Sequence, residues 1–438
     1  MKRAPRAVRT DLVDAAVLEV HGLVAEEGWL ADRALERVLR REARLYAAER
    51  RAVAEAVYGI QRLLGQLTWL AGGARLDPST AYALWLARAG AAPPDAAARR
   101  LGVEPALVVR ALDRADARIA ALADPAERLA VEGSVPRWIA EAFLAERPAP
   151  EVRALLAAMN RRAPLTVRAN ALKGTREALR ERLAGEGTAA EPTRFSPWGL
   201  ALDGHANAFA LRSFQDGWFE IQDEGSQLLA LAVGARPGQK VADCCAGAGG
   251  KSLALAAEMR GKGALHALDA DAGRLEEARR RARRAGVHNL RTRAVAADAA
   301  AEAQLADLEG ACDRVLVDAP CSGLGTLRRK PDARWRLRRE DPARFARLQE
   351  ELGLRYARLV RPGGRFVYAT CSIGRTENAA VAAALLAARP DLRPLPLEAA
   401  LGEGLARSLG APAGAHELQL WPDVHGTDGF FVAAFQRA

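Results

Sequence analysis

From about residue 216 onward, five short apolar runs alternate with helical segments, and each run ends near a chemically active side chain. The runs are QKVADCC, GALHALDAD, NLRTRAVAAD, DRVLVDAP and RFVYATCS; helical stretches such as SLALAAEM, AGRLEEARRRARRAG and PARFARLQEELGLRYARLV lie between them. Such alternation predicts a parallel sheet with helices on both faces. Ligands of such sheets sit beyond the carboxyl ends of the strands, near the switch in strand order. Cys245, Asp269, Asp298, Asp318 and Cys371 all fall at or just past those ends. The closing stretch HELQLWPDVHGTDGFFVAAFQ reads as an antiparallel strand pair.

At 438 residues the chain is long for one domain, and two or three are expected. Residues 1–133 read as helix after helix. Leu12, Val13, Ala16, Val17, Val20 and Leu23 recur at helical spacing behind Thr10 or Asp11 as N-cap. Val53, Val57, Ile60, Leu64, Leu67 and Leu70 continue the pattern until Gly72-Gly73 stops it. Residues 134–215 change character: APLTVRANALKG and SPWGLALDG read as strands around the helix TREALRERLAGEG, a small α+β domain. Residues 216–438 form the alternating domain.

A net charge of +10 and a pI near 9.8 favour a polyanionic partner, nucleic acid first. Arginine in place of lysine also suits a GC-rich genome. Five cysteines form no CxxC pair and no zinc-spaced cluster, so no metal is expected and the thiols are read as reduced. No run of about 18 apolar residues and no signal-peptide core appears. A cytoplasmic protein without a membrane partner is expected.

The stretch VADCCAGAGGKS places a glycine-rich turn between a strand and a helix. Glycines permit positive φ and close ligand approach, and the helix start offers unpaired N–H groups. The spacing is neither GxGxxG nor GxxxxGK[ST], which suits a nucleoside without pyrophosphate. Asp269 is placed to accept ribose hydroxyls; capping the next helix suits Asp271 better. Asp298 is placed either against an adenine ring or as a surface cap.

These parts fit a methyltransferase sheet using S-adenosyl-L-methionine, and the cysteines then specify the target. Carbon 5 of cytosine is too weak a nucleophile to take a methyl group directly. Addition of a thiolate to carbon 6 makes the ring an enamine whose carbon 5 can attack. This requires a cysteine with thiolate character, a group on the N3/N4 edge, and an acid or base. Asp318, Cys321 and Cys371 can supply them. A buried cysteine is also an ordinary small hydrophobe.

The motifs DCCAGAGGKS, ALDAD, VLVDAPCSGLGTLRRKPDARWR, YATCS and HGTDGFF resemble the series found in RNA cytosine-5 methyltransferases. The helical front with AVYGIQRLLGQLTWL resembles the NusB-like domain of bacterial 16S rRNA (cytosine-5) methyltransferases. The resemblance implies an all-α NusB-like N-terminal RNA-binding domain, a small α+β (RRM-like) domain and a Rossmann-like methyltransferase domain. It implies Cys371 as nucleophile, Cys321 in product release, and Asp318 and Lys251 beside them. The cofactor would lie on Cys245, Ala246, Gly247, Ala248, Gly249, Gly250, Lys251, Asp269, Asp298 and Asp318. Where the family usually has proline this chain has Ala248, which frees a dihedral and predicts a looser loop. The implied partner is 16S rRNA, naked or in an assembling small subunit, bound by a monomer. Arg328, Arg329, Lys330, Arg334 and Arg336 are expected on its phosphates, with Trp335 packing rather than stacking on a base. A DNA cytosine-5 enzyme would use the Pro-Cys thiol alone, and an N6-adenine enzyme would need an aromatic platform after Pro320. A non-catalytic RNA-binding factor would have no use for both cysteines.

Overall fold

The structure, a computed structural model, describes residues 8–203, 207–298 and 300–438. The first seven residues of the expected helical domain, and Gly204 at the end of an expected strand, lie outside the described residues. The chain forms two compact units. One joins the residues up to Arg161 to Leu327–Arg339; the other comprises Arg162–Thr326 and Glu340–Ala438.

The first unit is helical, from Thr10–Ala25, Ala31–Arg41, Ala47–Leu70 and Pro78–Arg88 to Ala149–Met159. Proline opens several of these helices, where its missing N–H costs nothing. At Pro78 the preceding Asp77 caps the helix, accepting from the N–H groups of Ser79 and Thr80, each at 3.0 Å. Val13, Ala16, Val17 and Val20 pack against Val53, Val57 and Ile60, so the helical periodicity marks the core. The first helix starts behind Arg9 rather than behind a capping Thr10 or Asp11. There the Arg9 N–H donates to buried Glu49 at 3.1 Å, replacing a local cap with a long-range one. Among the described residues no helix is long and apolar enough to cross a membrane.

The second unit carries two sheets. The smaller contains β1 (Leu165–Ala169), β2 (Ala190–Pro192), β3 (Gly199–Leu202) and β4 (Phe219–Ile221), in antiparallel order β2-β3-β1-β4. It extends past the expected boundary at 215, because three-residue β4 is too short to announce itself and is held by its pairing with β1. Residues 137–159, expected in the middle segment, form two helices of the first unit.

The larger sheet is built from β5 (Lys240–Cys244), β6 (Ala264–Asp269), β7 (Leu290–Ala294), β8 (Cys312–Asp318), β9 (Val360–Thr370), β10 (Leu392–Pro394), β11 (Glu417–Leu420) and β12 (Phe430–Arg437). Its order is β10-β12-β9-β8-β5-β6-β7, with β11 beside β12. β7, β6, β5, β8 and β9 run parallel, and β12 returns antiparallel against β9. Residues alternate between two cores, as the two-residue strand period demands. Leu316, Val367 and Ala369 face one; Val315, Val317, Phe366 and Tyr368 face the other. Strand order reverses at β5 and β8, so the glycine loop after β5 opens where a ligand is expected.

Candidate active site

The loop after β5 is held open by local strain and long-range anchors. Cys245 adopts φ 82, a left-handed conformation uncommon for a residue with a side chain, while its N–H and that of Ala246 both donate to the Leu268 carbonyl. Gly249 has φ 81, and a Cβ there would lie 2.9 Å from that of Ala278, so glycine is required. Gly247, at φ 55, faces open space. Its N–H donates to Asp269 Oδ2 at 2.7 Å, while Asp269 Oδ1 accepts from Asp271 N at 2.8 Å. The helix Gly250–Glu258 starts immediately behind the loop and directs its free N–H groups towards it.

The expected looseness at Ala248 meets two arginine anchors. Arg281 Nη1 donates to the Ala248 carbonyl at 2.8 Å and pairs through Nη2 with buried Glu220 of β4 at 2.9 Å. Arg168 of β1 donates to the Gly250 carbonyl at 2.9 Å; burial lowers its pKa to about 10. The small sheet thus braces the loop from outside. Removing the brace with Arg281→Ala is expected to weaken S-adenosylhomocysteine binding about tenfold by calorimetry, with kcat at saturation little changed.

Asp243, at the end of β5, is buried and accepts from Ser252 Oγ at 2.6 Å, while its Oδ1 has no hydrogen-bond partner. Burial raises its pKa to about 6 from an ordinary 3.8. Folding therefore favours the neutral carboxyl. The resulting destabilisation is absent below the unfolded pKa, grows as pH rises towards 6 and levels off above it. Asp243→Asn, which keeps an acceptor for Ser252, is expected to raise the melting temperature by about a few degrees at pH 8 and to leave it unchanged at pH 3.

Beyond β8 and β9 the reactive groups converge. Lys251 Nζ lies 2.6 Å from Asp318 Oδ2, and the two thiols, Cys321 and Cys371, are 3.2 Å apart. Burial pulls the Lys251 pKa down, but Asp318 outweighs it and leaves the ammonium raised, with Cys371 adding to the effect. The Cys321 pKa is pushed well up, first by its hydrogen bond to Cys371 and then by burial. Either sulfur can be the donor in this contact. Cys244 and Cys312 are buried, with pKa values raised by desolvation, and behave as small apolar residues.

The pair is held by residues that local sequence patterns did not single out. Each cysteine precedes a serine, and both serines reach fully buried Glu377. Its carboxylate accepts from Ser322 N at 2.8 Å, Ser322 Oγ at 2.5 Å and Ser372 Oγ at 2.7 Å. Gln349 donates to the same carboxylate at 3.1 Å. The repeated Cys-Ser dipeptide was the available signal. A backbone seam completes the clamp: Gly325 N donates to the Cys371 carbonyl at 3.0 Å, and Gly429 N to the Gly325 carbonyl at 2.8 Å. A Cβ on Gly325 would fall 2.0 Å from the Gly429 oxygen, and one on Gly429 would fall 2.3 Å from Ile373 Cγ2 and 2.8 Å from Gly325 Cα, which gives the second glycine of HGTDGFF its purpose.

Asp298 is exposed and caps the helix Ala300–Leu305, donating nothing and accepting from Ala300 N at 3.0 Å. The basic segment folds with the helical unit, and burial removes Arg334 from the cations expected on phosphates. Arg334 is fully buried, donating to the carbonyls of Gly133 at 3.2 Å and Ser134 at 3.0 Å and to Asn160 Oδ1 at 2.7 Å. It stitches helix ends together and offers nothing to a phosphate. Arg328 is buried too, and Arg329 half-buried; Lys330 and Arg336 are exposed, Arg336 paired with Asp332. Trp335 packs on Gly65 and donates to the Gln61 carbonyl at 2.8 Å.

A switch-point glycine loop, an acidic β6 terminus and polar groups beyond β8 and β9 define a Rossmann-like methyltransferase. Residues 230–436 match the family described as 16S rRNA methyltransferase RsmB/F, and residues 135–208 the ferredoxin-like domain of RsmF/B-like methyltransferases. The chain is 34% identical over 321 residues to the probable ribosomal RNA small subunit methyltransferase B of Bacillus subtilis, spanning 72% of this chain and 69% of that one. The chain belongs to the RsmB/F methyltransferase family. Its fold is shared with the crystal structure of PH0851 (TM-score 0.77, 24% identity, 99% of this chain and 100% of that one). A methyltransferase homolog from Pyrococcus horikoshii superposes with TM-score 0.58 at 25% identity, over 72% of this chain and all of that one.

Proposed function

We propose that this protein transfers a methyl group from S-adenosyl-L-methionine to carbon 5 of a cytosine in 16S rRNA, through a covalent bond between Cys371 and carbon 6. The observation that carries this reading is the thiol pair at 3.2 Å beside the Lys251–Asp318 ion pair, at the tips of neighbouring strands. The open face of Gly247, the Asp269 carboxylate and the helix N-terminus fit the nucleoside and amino-acid ends of the donor, whose sulfonium supplies an electrophilic methyl.

Asp318 accepts hydrogen bonds from the N4 edge of the flipped base, and Lys251 holds that carboxylate in place. The Cys371 sulfur gives a lone pair to carbon 6, and the former 5,6 double-bond electrons make carbon 5 nucleophilic. After carbon 5 gains the methyl, a base removes its proton. The freed pair rebuilds the double bond as the carbon–sulfur bond breaks, returning the thiolate. Cys321, with its sulfur 3.2 Å from that of Cys371, is the proton-transfer group nearest the departing sulfur.

The protein acts as a single copy in the cytoplasm, on rRNA free or in an assembling small subunit, with the NusB-like front contacting RNA. Incubating the protein and donor with a 16S rRNA transcript, then sequencing after bisulfite treatment, is expected to reveal a protected cytosine. Methylation confined to DNA, or on adenine, would overturn the reading.

A further inference from the structure

The positive charge is unevenly distributed. Residues 1–161 and 327–339 hold 31 Lys and Arg against 22 Asp and Glu; the rest of the chain holds 33 against 32. The helical unit therefore carries a net charge of +9 and the unit with the candidate active site +1. Within that helical unit lies a half-open cavity of about 700 Å³. Its wall includes Trp29, Leu64, Trp69, Val131, Val135 and Trp335, with Arg75 and Arg336 exposed at the margin. Leu64 sits on the stripe that buries Val57, Ile60 and Leu67, yet it faces the cavity instead of a neighbouring helix. Gly65 makes room for the Trp335 ring, since a Cβ there would come within 2.5 Å of it.

Trp29 belongs to two sites at once. It also borders a groove of about 560 Å³ formed by Arg33, Glu36, Arg37, Arg40 and Arg41, on the exposed face of the helix Ala31–Arg41, where Glu36 pairs with Arg33 and Arg40 and Glu19 with Arg41, exposed pairs that phosphates can exchange into. Arg37 stacks over the Trp29 ring at 5.0 Å. An aromatic chamber joined to an arginine groove is the combination that single-stranded nucleic acid requires: bases stack on the rings while phosphates follow the cations. His21, also in the cavity wall, adds polar character without charge. Burial lowers its pKa to about 4, and its Nε2 has no hydrogen-bond partner.

We infer that this cavity and groove form a second RNA site, which takes one or two unpaired bases against Trp29 and Trp69 while the adjoining phosphates run along Arg37 and Arg41. The inference rests on the RNA substrate proposed above. It gives the helical unit a task of its own: gripping an unpaired stretch of the same RNA in addition to the target cytosine.

The test is fluorescence anisotropy of a labelled oligoadenylate RNA with the full chain. Trp69→Ala is expected to weaken binding about tenfold, the loss of one base–ring stack. Leu64→Trp fills the chamber without removing a ring and is expected to do the same. Arg37→Glu with Arg41→Glu should also flatten the salt dependence. Melting followed by circular dichroism checks that each variant is folded. Oligoadenylate that fails to bind the parent chain, or affinities of folded Trp69→Ala and Leu64→Trp within about twofold of the parent, would overturn the inference. In either case cytosine methylation by the parent chain would show that the proposed reaction stands. An anilinonaphthalene sulfonate signal abolished by Leu64→Trp, with RNA affinity unchanged, would identify an apolar protein segment as the occupant and overturn it as well.

Discussion

Replacing Cys371 with alanine is expected to abolish methyl transfer, lowering kcat by about four orders of magnitude or more. Without the sulfur, carbon 6 has no partner and carbon 5 no developed nucleophilicity, and positioning alone cannot supply either. Cys321 is not expected to take over, because its burial still disfavours the thiolate. Donor binding and RNA binding should both survive, since the glycine loop is anchored by Asp269, Arg281 and Arg168 rather than by the thiols. Filter-binding and single-turnover assays with labelled methyl donor separate these quantities. Appreciable turnover by Cys371→Ala would reject the assignment.

Cys321→Ala is expected to behave differently. Its Cys371 still attacks and the methyl is still transferred, but the group nearest the departing sulfur is gone. Multiple turnover should fall about a hundredfold or more while the first turnover proceeds. A protein–RNA species that survives denaturing electrophoresis and contains methylated cytosine should accumulate. The opposite pattern, with the adduct trapped by Cys371→Ala, would exchange the two roles. The alanine should be tolerated structurally, because the Cys321 loop is held by Ser322, Glu377 and the Gly325–Gly429 seam.

Features written in local periodicity are legible in the sequence. The five apolar runs became β5 to β9, and their ends carry Asp269, Asp318 and the two cysteines near the predicted positions. The helical stripe through Val53, Val57 and Ile60 marked a true core. Features set by distant partners could not be read. Nothing around Glu377 announces that two serines fifty residues apart will converge on it. Arg334 looks like its neighbours in a basic run, yet only tertiary packing decides that it is buried against the carbonyls of Gly133 and Ser134. The return of Leu327–Arg339 to the helical unit is likewise a long-range event. The missing loop proline predicted looseness because Arg281 lies thirty-three residues away and its bond to Ala248 has no sequence signature.

The proposed covalent bond between Cys371 and the base is best tested with RNA carrying 5-fluorocytidine at the proposed target position. Fluorine cannot leave carbon 5 as a proton does, so the methylated adduct cannot eliminate the sulfur. Peptide mass spectrometry of the trapped complex is expected to find the nucleotide attached to Cys371, in a donor-dependent manner. Attachment to Cys321, or methylation of ordinary cytosine without any trapped complex from the fluorinated RNA, would contradict the account.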